Sequence, residues 1–227
     1  MMRGPPLCRA LMNPAASATL VDPSWPETLR TLVARGEPRR YRKGTLLIQE
    51  GDVSDTLYIV LSGRVKSFST DERDREIVYG VYGPGEYIGE MSLDGGPRSA
   101  SVMTLEATVC AVVTRKTLRE HIAANPEFAF ELLSRVIRRA RLATQSAKSM
   151  ALLSVYSRIV ELLDKLSIID STGRRLVSGR LTHADIAAQV GCSREMVSRI
   201  MRDLHTGSYV QRTAFGLEIL RVIPIAW

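Results

Sequence analysis

The chain of 227 residues is short of cysteine, histidine and aromatic residues, and each shortage closes off a class of function. Its three cysteines, Cys8, Cys110 and Cys192, are odd in number and widely scattered. They have neither the spacing of a disulfide framework nor that of a metal-ligand set. His121, His183 and His205 are equally dispersed. No nucleophile–base pair suggests itself, so the chain is not read as an enzyme. No apolar run approaches the roughly 20 residues that span a bilayer, which argues against a membrane partner. Met1 to Leu20 has an early arginine but no sustained apolar core, a poor signal peptide. Residues 1–19 read as a flexible extension, and a reducing, cytoplasmic setting without structural metal or covalent cofactor is the simplest expectation. Acidic residues are in deficit as well: 24 against 31 lysines and arginines, a net charge of +7 and a pI near 9.6. With 45% hydrophobic and 24% charged residues, the composition is that of a globular protein long enough for two modest domains.

What is present is concentrated in three patterns. Leu181 to Ile200 reads as two short helices joined by a tight turn. Thr182 with Asp185 forms a capping-box-like start. Ile186, Ala187 and Val190 are spaced to bury one face. Gly191 falls where the chain reverses and a positive φ is expected. Ser193 is a good N-cap for the second helix, with Val197, Ile200 and Leu204 as its inner face. Arg194, Glu195 and Arg199 then lie on the outer face, where a recognition helix presents side chains to base edges. An ordinary helical hairpin shares the apolar pattern. The charge argues against it: from Arg174 to Arg202 there are six arginines and two carboxylates, a nucleic-acid footprint on such a motif. Tyr209–Arg212 and Leu217–Leu220, separated by Thr213-Ala-Phe-Gly216, read as a β-hairpin, which makes the region a winged helix.

Upstream, Arg39 to Arg115 shows short β-branched or aromatic runs broken by glycine turns: Thr45–Ile48, Thr56–Leu61, Glu76–Tyr79, Ser101–Met103 and Thr108–Val113. Such spacing indicates a small all-β barrel or sandwich. A short helix, Trp25 to Arg35, precedes it. Pro126 to Leu152 lacks glycine and internal proline, and Ala129, Leu133, Val136, Ala140, Ala143, Ala147 and Met150 recur at intervals of four and three. This small-residue heptad seam favours a paired helix and hence a homodimer; packing against its own β-domain is the alternative. Tyr156 to Leu166 is a further amphipathic helix, followed by the polar, basic loop Asp170–Arg175.

One loop carries different chemistry, Gly83-Pro-Gly-Glu-Tyr-Ile-Gly-Glu-Met-Ser-Leu-Asp-Gly-Gly-Pro-Arg-Ser-Ala-Ser101. Glycines at 83, 85 and 89 permit tight backbone geometry, and Glu90 and the pair Arg98-Ser99 flank a short apolar turn. A cyclic phosphate needs a guanidinium, a hydroxyl and backbone N–H groups, and a ribose 2′-hydroxyl needs a carboxylate acceptor. A glycine-rich loop that only turns the chain remains the plainer reading of this stretch alone.

Together, Gly85-Glu-Tyr-Ile-Gly-Glu90 with Arg98-Ser99, Val190-Gly-Cys-Ser-Arg-Glu-Met-Val-Ser-Arg199 and Asp55-Thr-Leu-Tyr-Ile-Val-Leu-Ser-Gly63 resemble the CRP/FNR family of bacterial transcription regulators, over Leu20 to Trp227. The resemblance implies an α+β chain: a cyclic-nucleotide-binding, jelly-roll-like β-roll (20–125), a long dimerisation helix (126–152) and a C-terminal winged helix-turn-helix (153–227). It implies ribose contacts from Gly89 and Glu90 and phosphate contacts from Arg98 and Ser99. Arg139 would face the ligand and Thr144 would reach the partner's ligand. Arg194, Glu195 and Arg199 would read bases, and Thr182 and Ser193 would meet DNA phosphates.

One position departs from the cyclic-AMP-responsive pattern. Where those members carry a threonine that recognises adenine, this chain has Ala143, which cannot hydrogen-bond a base. The implied effector is therefore a cyclic nucleotide, cyclic AMP favoured and cyclic di-GMP the alternative. Constitutive DNA binding stays open, as does a nucleotide-binding regulatory subunit without DNA binding. The oxygen-sensing branch needs an N-terminal cysteine cluster that Cys8 alone does not supply. The implied partners are DNA, a second copy of the chain and RNA polymerase. The implied half-site is TGTGA, inverted and repeated.

Overall fold

A computed structural model of the chain describes residues 20–72, 75–179 and 181–224. Cys8, the 1–19 extension, Arg180 and the last three residues lie outside that set. The chain divides into two compact units, residues 1–69 with 79–140, and residues 70–78 with 141–227.

The first unit opens with α1 (Glu27–Arg35). The sequence places its start at Trp25. The helix begins two residues later because Pro26, with no N–H to donate, stands at the N-cap. Eight strands follow: β1 (Glu37–Tyr41), β2 (Leu46–Ile48), β3 (Thr56–Ser62), β4 (Val65–Thr70), β5 (Glu76–Tyr82), β6 (Tyr87–Ile88), β7 (Ser101–Thr104) and β8 (Thr108–Thr114). They form two antiparallel four-stranded sheets, ordered β1-β8-β3-β6 and β2-β7-β4-β5. Strands β3 and β8 carry unbroken hydrophobic runs, Leu57–Leu61 and Val109–Val113, because both their faces are covered. Leu57, Ile59, Leu61, Val109, Ala111 and Val113 point at the helices, where they meet Leu29, Leu32 and Leu118. The alternate residues Val60 and Cys110 point the other way and join Ile48, Val65, Ile88 and Val102 in a second core. Burial there pushes the Cys110 thiol up to about 12, so it acts as a small core hydrophobe.

Helix α2 (Arg115–Ala124) starts at Thr114, whose hydroxyl accepts from Thr117 N–H, and buries Leu118 and His121. The long helix α3 (Glu127–Leu152) follows. Within the first unit Phe128 is fully buried and Leu132 packs on the same core. One helical turn further on, the Arg135 guanidinium lies 4.7 Å over the Tyr87 ring. The opposite side of this helix leaves Phe130 66%, Leu133 52% and Ile137 42% exposed. Exposed apolar residues in this half of the helix thus lie at 130, 133, 137 and 140, and of the heptad seam read in the sequence Leu133, Ala140, Ala143, Ala147 and Met150 are exposed. Ala129 and Val136 of the seam are half-buried. The heptad count could not see which side Phe128 and Leu132 had already claimed.

The second unit contains the rest of α3, then α4 (Val155–Leu166), β9 (Ile168–Ile169), β10 (Arg175–Ser178), α5 (His183–Val190), α6 (Arg194–Thr206), β11 (Val210–Thr213) and β12 (Gly216–Ile219). Its sheet runs β11-β12-β10-β9, antiparallel throughout. A single core holds Ile159 and Leu163 from α4, Ile186 and Val190 from α5, Val197 and Leu204 from α6, and Leu217 and Ile219 from the hairpin. This is a winged helix-turn-helix. The β9–β10 strand pair was absent from the sequence reading, which had only the polar loop between them. No helix among the described residues is long and apolar enough to cross a membrane, and no group of His, Cys, Asp and Glu there could hold a metal ion.

Candidate functional site

The glycine-rich loop folds into a polar cradle around one side chain. Arg98 is only 4% exposed. Its Nη1 donates to the Gly89 carbonyl at 2.8 Å and to Ser92 Oγ at 2.7 Å. Its Nη2 donates to the Thr56 carbonyl at 2.7 Å, to Thr56 Oγ1 at 3.0 Å and to Ser54 Oγ at 3.1 Å. The Arg98 backbone is pinned too, exchanging bonds with Gly51 and Asp52. Every partner of the guanidinium is neutral; among the described residues no carboxylate forms an ion pair with it. Burial accordingly holds its pKa below the usual arginine value, opposed by Tyr58, Asp55, Glu90 and Asp52. A buried cation satisfied by hydrogen bonds but lacking a counterion is the electrostatic signature of a place for an anion.

Glu90 sits in the 3-10 turn Glu90–Ser92 that leaves Gly89, and it is 6% exposed. One carboxylate oxygen pairs with Arg139 of α3. The other, Oε2, is buried with no hydrogen-bond partner, a deficit worth about 1–3 kcal/mol that a donated hydroxyl would relieve. Arg139 is itself fixed three ways. It donates to the Tyr87 carbonyl as well as to Glu90, and lies 4.5 Å over the Tyr82 ring. Ser99 is exposed, its hydroxyl 3.6 Å from the Met91 sulfur. The structure therefore brings Gly89, Glu90, Arg98 and Arg139 together, with Ser99 at the rim. Thr144 belongs to the other unit and is exposed. The sequence reading missed Ser54 and Thr56, which supply three of the five guanidinium acceptors; only their place beside a conspicuous strand could have drawn attention to them.

In the second unit the turn chemistry read from the sequence is present atom for atom. Thr182 Oγ1 accepts from Asp185 N–H while the Asp185 carboxylate accepts from Thr182 N–H, a complete capping box. Gly191 has φ +67, the left-handed conformation that ends α5, its N–H donating to the Ala187 carbonyl. Ser193 Oγ accepts from Met196 N–H at 3.2 Å, which leaves its own proton free to donate outward. The Thr182 hydroxyl proton, by contrast, is committed to Asp185 at 2.6 Å. Arg194, Glu195 and Arg199 are exposed, while Val197, Ile200, Met201 and Leu204 face the core.

The basic cluster is less uniform than the sequence suggests. Arg174 is held by Asp170, and Arg175 by Asp164 and Ser167, all at 2.9–3.0 Å. Asp170 also accepts from Thr172 and from the Arg174 N–H, which holds its carboxyl well below the usual range. The loop's charge is therefore compensated locally. Arg194 and, on the wing, Arg212 have no ion pair among the described residues. Arg212 was not singled out in the sequence, and its signal was only its place in the hairpin.

Comparison with known proteins gives concordant results. A family model described as a cyclic nucleotide-binding domain matches residues 38–125, and one described as a Crp-like helix-turn-helix domain matches residues 157–222. The chain is 30% identical over 208 residues to the cAMP-activated global transcriptional regulator CRP of Salmonella typhimurium, covering 88% of this chain and 97% of that protein. It is 32% identical over 187 residues to the CRP-like cAMP-activated global transcriptional regulator of Mycobacterium tuberculosis, covering 80% and 84%. Among solved structures, the c-di-GMP responsive global regulator CLP of Xanthomonas campestris superposes with a TM-score of 0.75 at 27% identity, covering 85% of this chain and 97% of that one.

The cradle makes a direct prediction. Gly89 has φ +90, and a Cβ there would stand 2.5 Å from Arg98 Nη1 and 2.8 Å from the Thr56 carbonyl. Gly89→Ala is expected to destabilise the first unit by about 1–3 kcal/mol or more, since strained backbone and displaced guanidinium add. Urea denaturation measures this. An unchanged midpoint would mean that the loop is not held as described.

Proposed function

The chain belongs to the CRP/FNR family of transcription regulators, and from that premise we propose that it acts as a homodimer whose reading of DNA is gated by a cyclic nucleotide. The family makes it a regulator with a cyclic-nucleotide-binding domain and a helix-turn-helix DNA-binding domain, and not an enzyme.

The observation that carries the ligand half is the pairing, in one loop, of a buried Arg98 without carboxylate and a buried Glu90 oxygen without donor. A cyclic phosphate supplies the missing anion to Arg98, helped by the Ser99 hydroxyl. A ribose 2′-hydroxyl supplies the missing donor to Glu90 Oε2, with Gly89 giving the backbone room. Arg139 links this carboxylate to the long helix, and Thr144 is assigned to the partner's ligand. Cyclic AMP is the favoured effector. Cyclic di-GMP is the second reading, favoured by Ala143, which offers a base no hydrogen bond, and by the likeness to a regulator that responds to c-di-GMP.

For DNA, α6 enters the major groove. Arg194 and Arg199 suit guanine O6 and N7, and Glu195 suits cytosine N4. Ser193 donates to a phosphate through its free hydroxyl proton. Thr182 does so through the helix N-terminus, because its hydroxyl is used in the cap. Dimerisation rests on the exposed stripe Phe130, Leu133, Ile137 and Ala140. The functional division is β-roll 20–125, dimerisation helix 126–152 and winged helix 153–227. RNA polymerase is a proposed partner, and the turn at Asp170–Arg175 is the candidate surface for it.

Three experiments test this reading. In calorimetry, one of cyclic AMP and cyclic di-GMP is expected to bind. Arg98→Ala should reduce its affinity at least about tenfold, the loss of a charge-assisted bond of about 1.5–3 kcal/mol. That variant also strands the acceptors on Ser54, Thr56 and Gly89, so its melting temperature falls; Ser99→Ala, which strands nothing, separates the two effects. If neither nucleotide binds the wild type, gating by these ligands is wrong. Second, Ala140→Glu sets like charges face to face across the seam, and light scattering should report monomer; a well-folded dimer would move the interface elsewhere. Third, selection from random duplex DNA should enrich inverted TGTGA-like half-sites. Arg194→Ala should relax preference at one guanine, a cost of about 1–3 kcal/mol. Equal stringency in both proteins would mean that α6 does not read the bases.

A further inference from the structure

Three elements of the second unit converge on one histidine. His183 is the first residue of α5, directly after the Thr182 cap. Its ring is half-buried, and Nδ1 lies 3.0 Å from Ser198 Oγ on α6. Ser198 is one helical turn after Arg194, so the two share a face of the recognition helix. From the wing, Arg212 of β11 adds a second positive charge acting on the same ring. Asp185, on the histidine's own helix, is engaged in the Thr182 cap. The charges bearing on the imidazole are thus two guanidiniums, Arg212 and Arg194, neither ion-paired among the described residues. Together with partial burial they hold His183 below its ordinary pKa of 6.5, burial being the larger cause. A basic residue whose protonation is disfavoured by burial and by neighbouring like charge takes a proton more readily when an anion arrives.

We propose that His183 is a DNA-phosphate contact that binds the backbone as imidazolium, with Nδ1–H anchored on Ser198 Oγ and Nε2–H donated to a phosphate oxygen, so that complex formation takes up one proton. The inference rests on the reading that this face binds DNA. A phosphate seated between Arg194, Arg212 and the α5 N-terminus cancels the repulsion that disfavours the imidazolium. The proton comes from solvent and no bond other than N–H forms. Because the ring is tied to Ser198, it couples the first helix of the motif to the recognition helix. The contact carries no base information, so its effect belongs equally to specific and random DNA.

The sign follows from linkage. The bound state holds one proton more than the free state, so affinity rises as pH falls between the two pKa values and is flat outside them. The test measures affinity for a duplex bearing inverted TGTGA repeats and for a random duplex, by fluorescence anisotropy. It spans about pH 5.5 to 8, at several salt concentrations, without effector and with cyclic AMP or cyclic di-GMP. Wild type should lose about tenfold in affinity for both duplexes as pH rises, the effect of a one-unit difference between free and bound histidine. His183→Gln should abolish that pH slope and weaken the salt dependence at low pH by about one ion. His183→Arg should be pH-independent and hold at high pH the affinity that wild type shows only at low pH. His205→Gln, on the exposed end of α6, should keep the wild-type slope. If His183→Gln retains that slope, or His183→Arg binds no better than wild type at high pH, the proposal is overturned although DNA binding stands. If wild type binds neither duplex at any pH, the DNA-binding reading of this face fails, and the proposal with it.

Discussion

The first unit depends on a guanidinium buried without an opposing carboxylate. Five hydrogen bonds from Arg98 reach two separate stretches of chain, Ser54–Thr56 and Gly89–Ser92, and its backbone clasps Gly51 and Asp52. Hydrogen bonds to a charged group are worth about twice neutral ones, so one side chain closes the loop, the 3-10 turn and the start of β3 into a single object. They do not neutralise the charge. A methionine of similar length could fill the space, but would leave the same carbonyls and hydroxyls stranded. The arrangement is thus a scaffold and an unspent positive potential at once. In the proposed function the three hydroxyls around Arg98 can turn their protons toward an incoming phosphate, which lets the guanidinium exchange acceptors without the loop coming apart.

A related economy of charge organises the second unit. The chain carries an excess of positive charge, and carboxylates cancel it where it would be idle. Asp170 and Asp164 take Arg174 and Arg175. Arg194 and Arg212 have no such partner among the described residues. Surface ion pairs contribute little stability; their consequence here is that the field is left concentrated on the face formed by the α5 and α6 N-termini and the wing. Each helix N-terminus adds partial positive charge of its own. The bare count of six arginines overstated the basic surface and misplaced part of it.

How much could be read in advance differs by element for physical reasons. Strands β3 and β8 were plain because burial on both faces makes them continuous apolar runs, and the helix-turn-helix was plain because its caps are local. Strand β1 was hidden. It contains Pro38 and two arginines, which an edge strand tolerates because one side of its backbone needs no partner. Strand β6 is two residues inside a glycine loop, and α2 hides its core face behind a histidine, His121, that is fully buried. In the cradle the residue types were legible, because the chemistry of a phosphate and a ribose demands them. The inward turn of Arg98 was not, since three of its five acceptors are 42 or 44 residues away in the chain. Likewise Phe130 and Ile137 are exposed on α3 though the heptad seam omits them, because Phe128 and Leu132 decide which side faces the β-roll, and that is a fact about tertiary packing.

Glu90 suggests how a ligand would act on the long helix. One of its oxygens already holds Arg139, while the other lacks a partner. A ribose hydroxyl can therefore be added without breaking the bond to α3. Covering the carboxylate with a ligand removes water from around the Glu90–Arg139 pair, and lower local dielectric strengthens the attraction between opposite charges. The same ligand brings a phosphate that offsets the second cation, Arg98. In the proposed function, binding would tighten an existing attachment of the helix rather than exchange it for another. The differential energy that any two-state gate requires then lies in how well each state keeps Arg139 seated on Glu90, Tyr87 and Tyr82. In a state that lifts Arg139 away, the buried carboxylate loses its ion-pair partner, and the ligand's phosphate, itself an anion, cannot replace it.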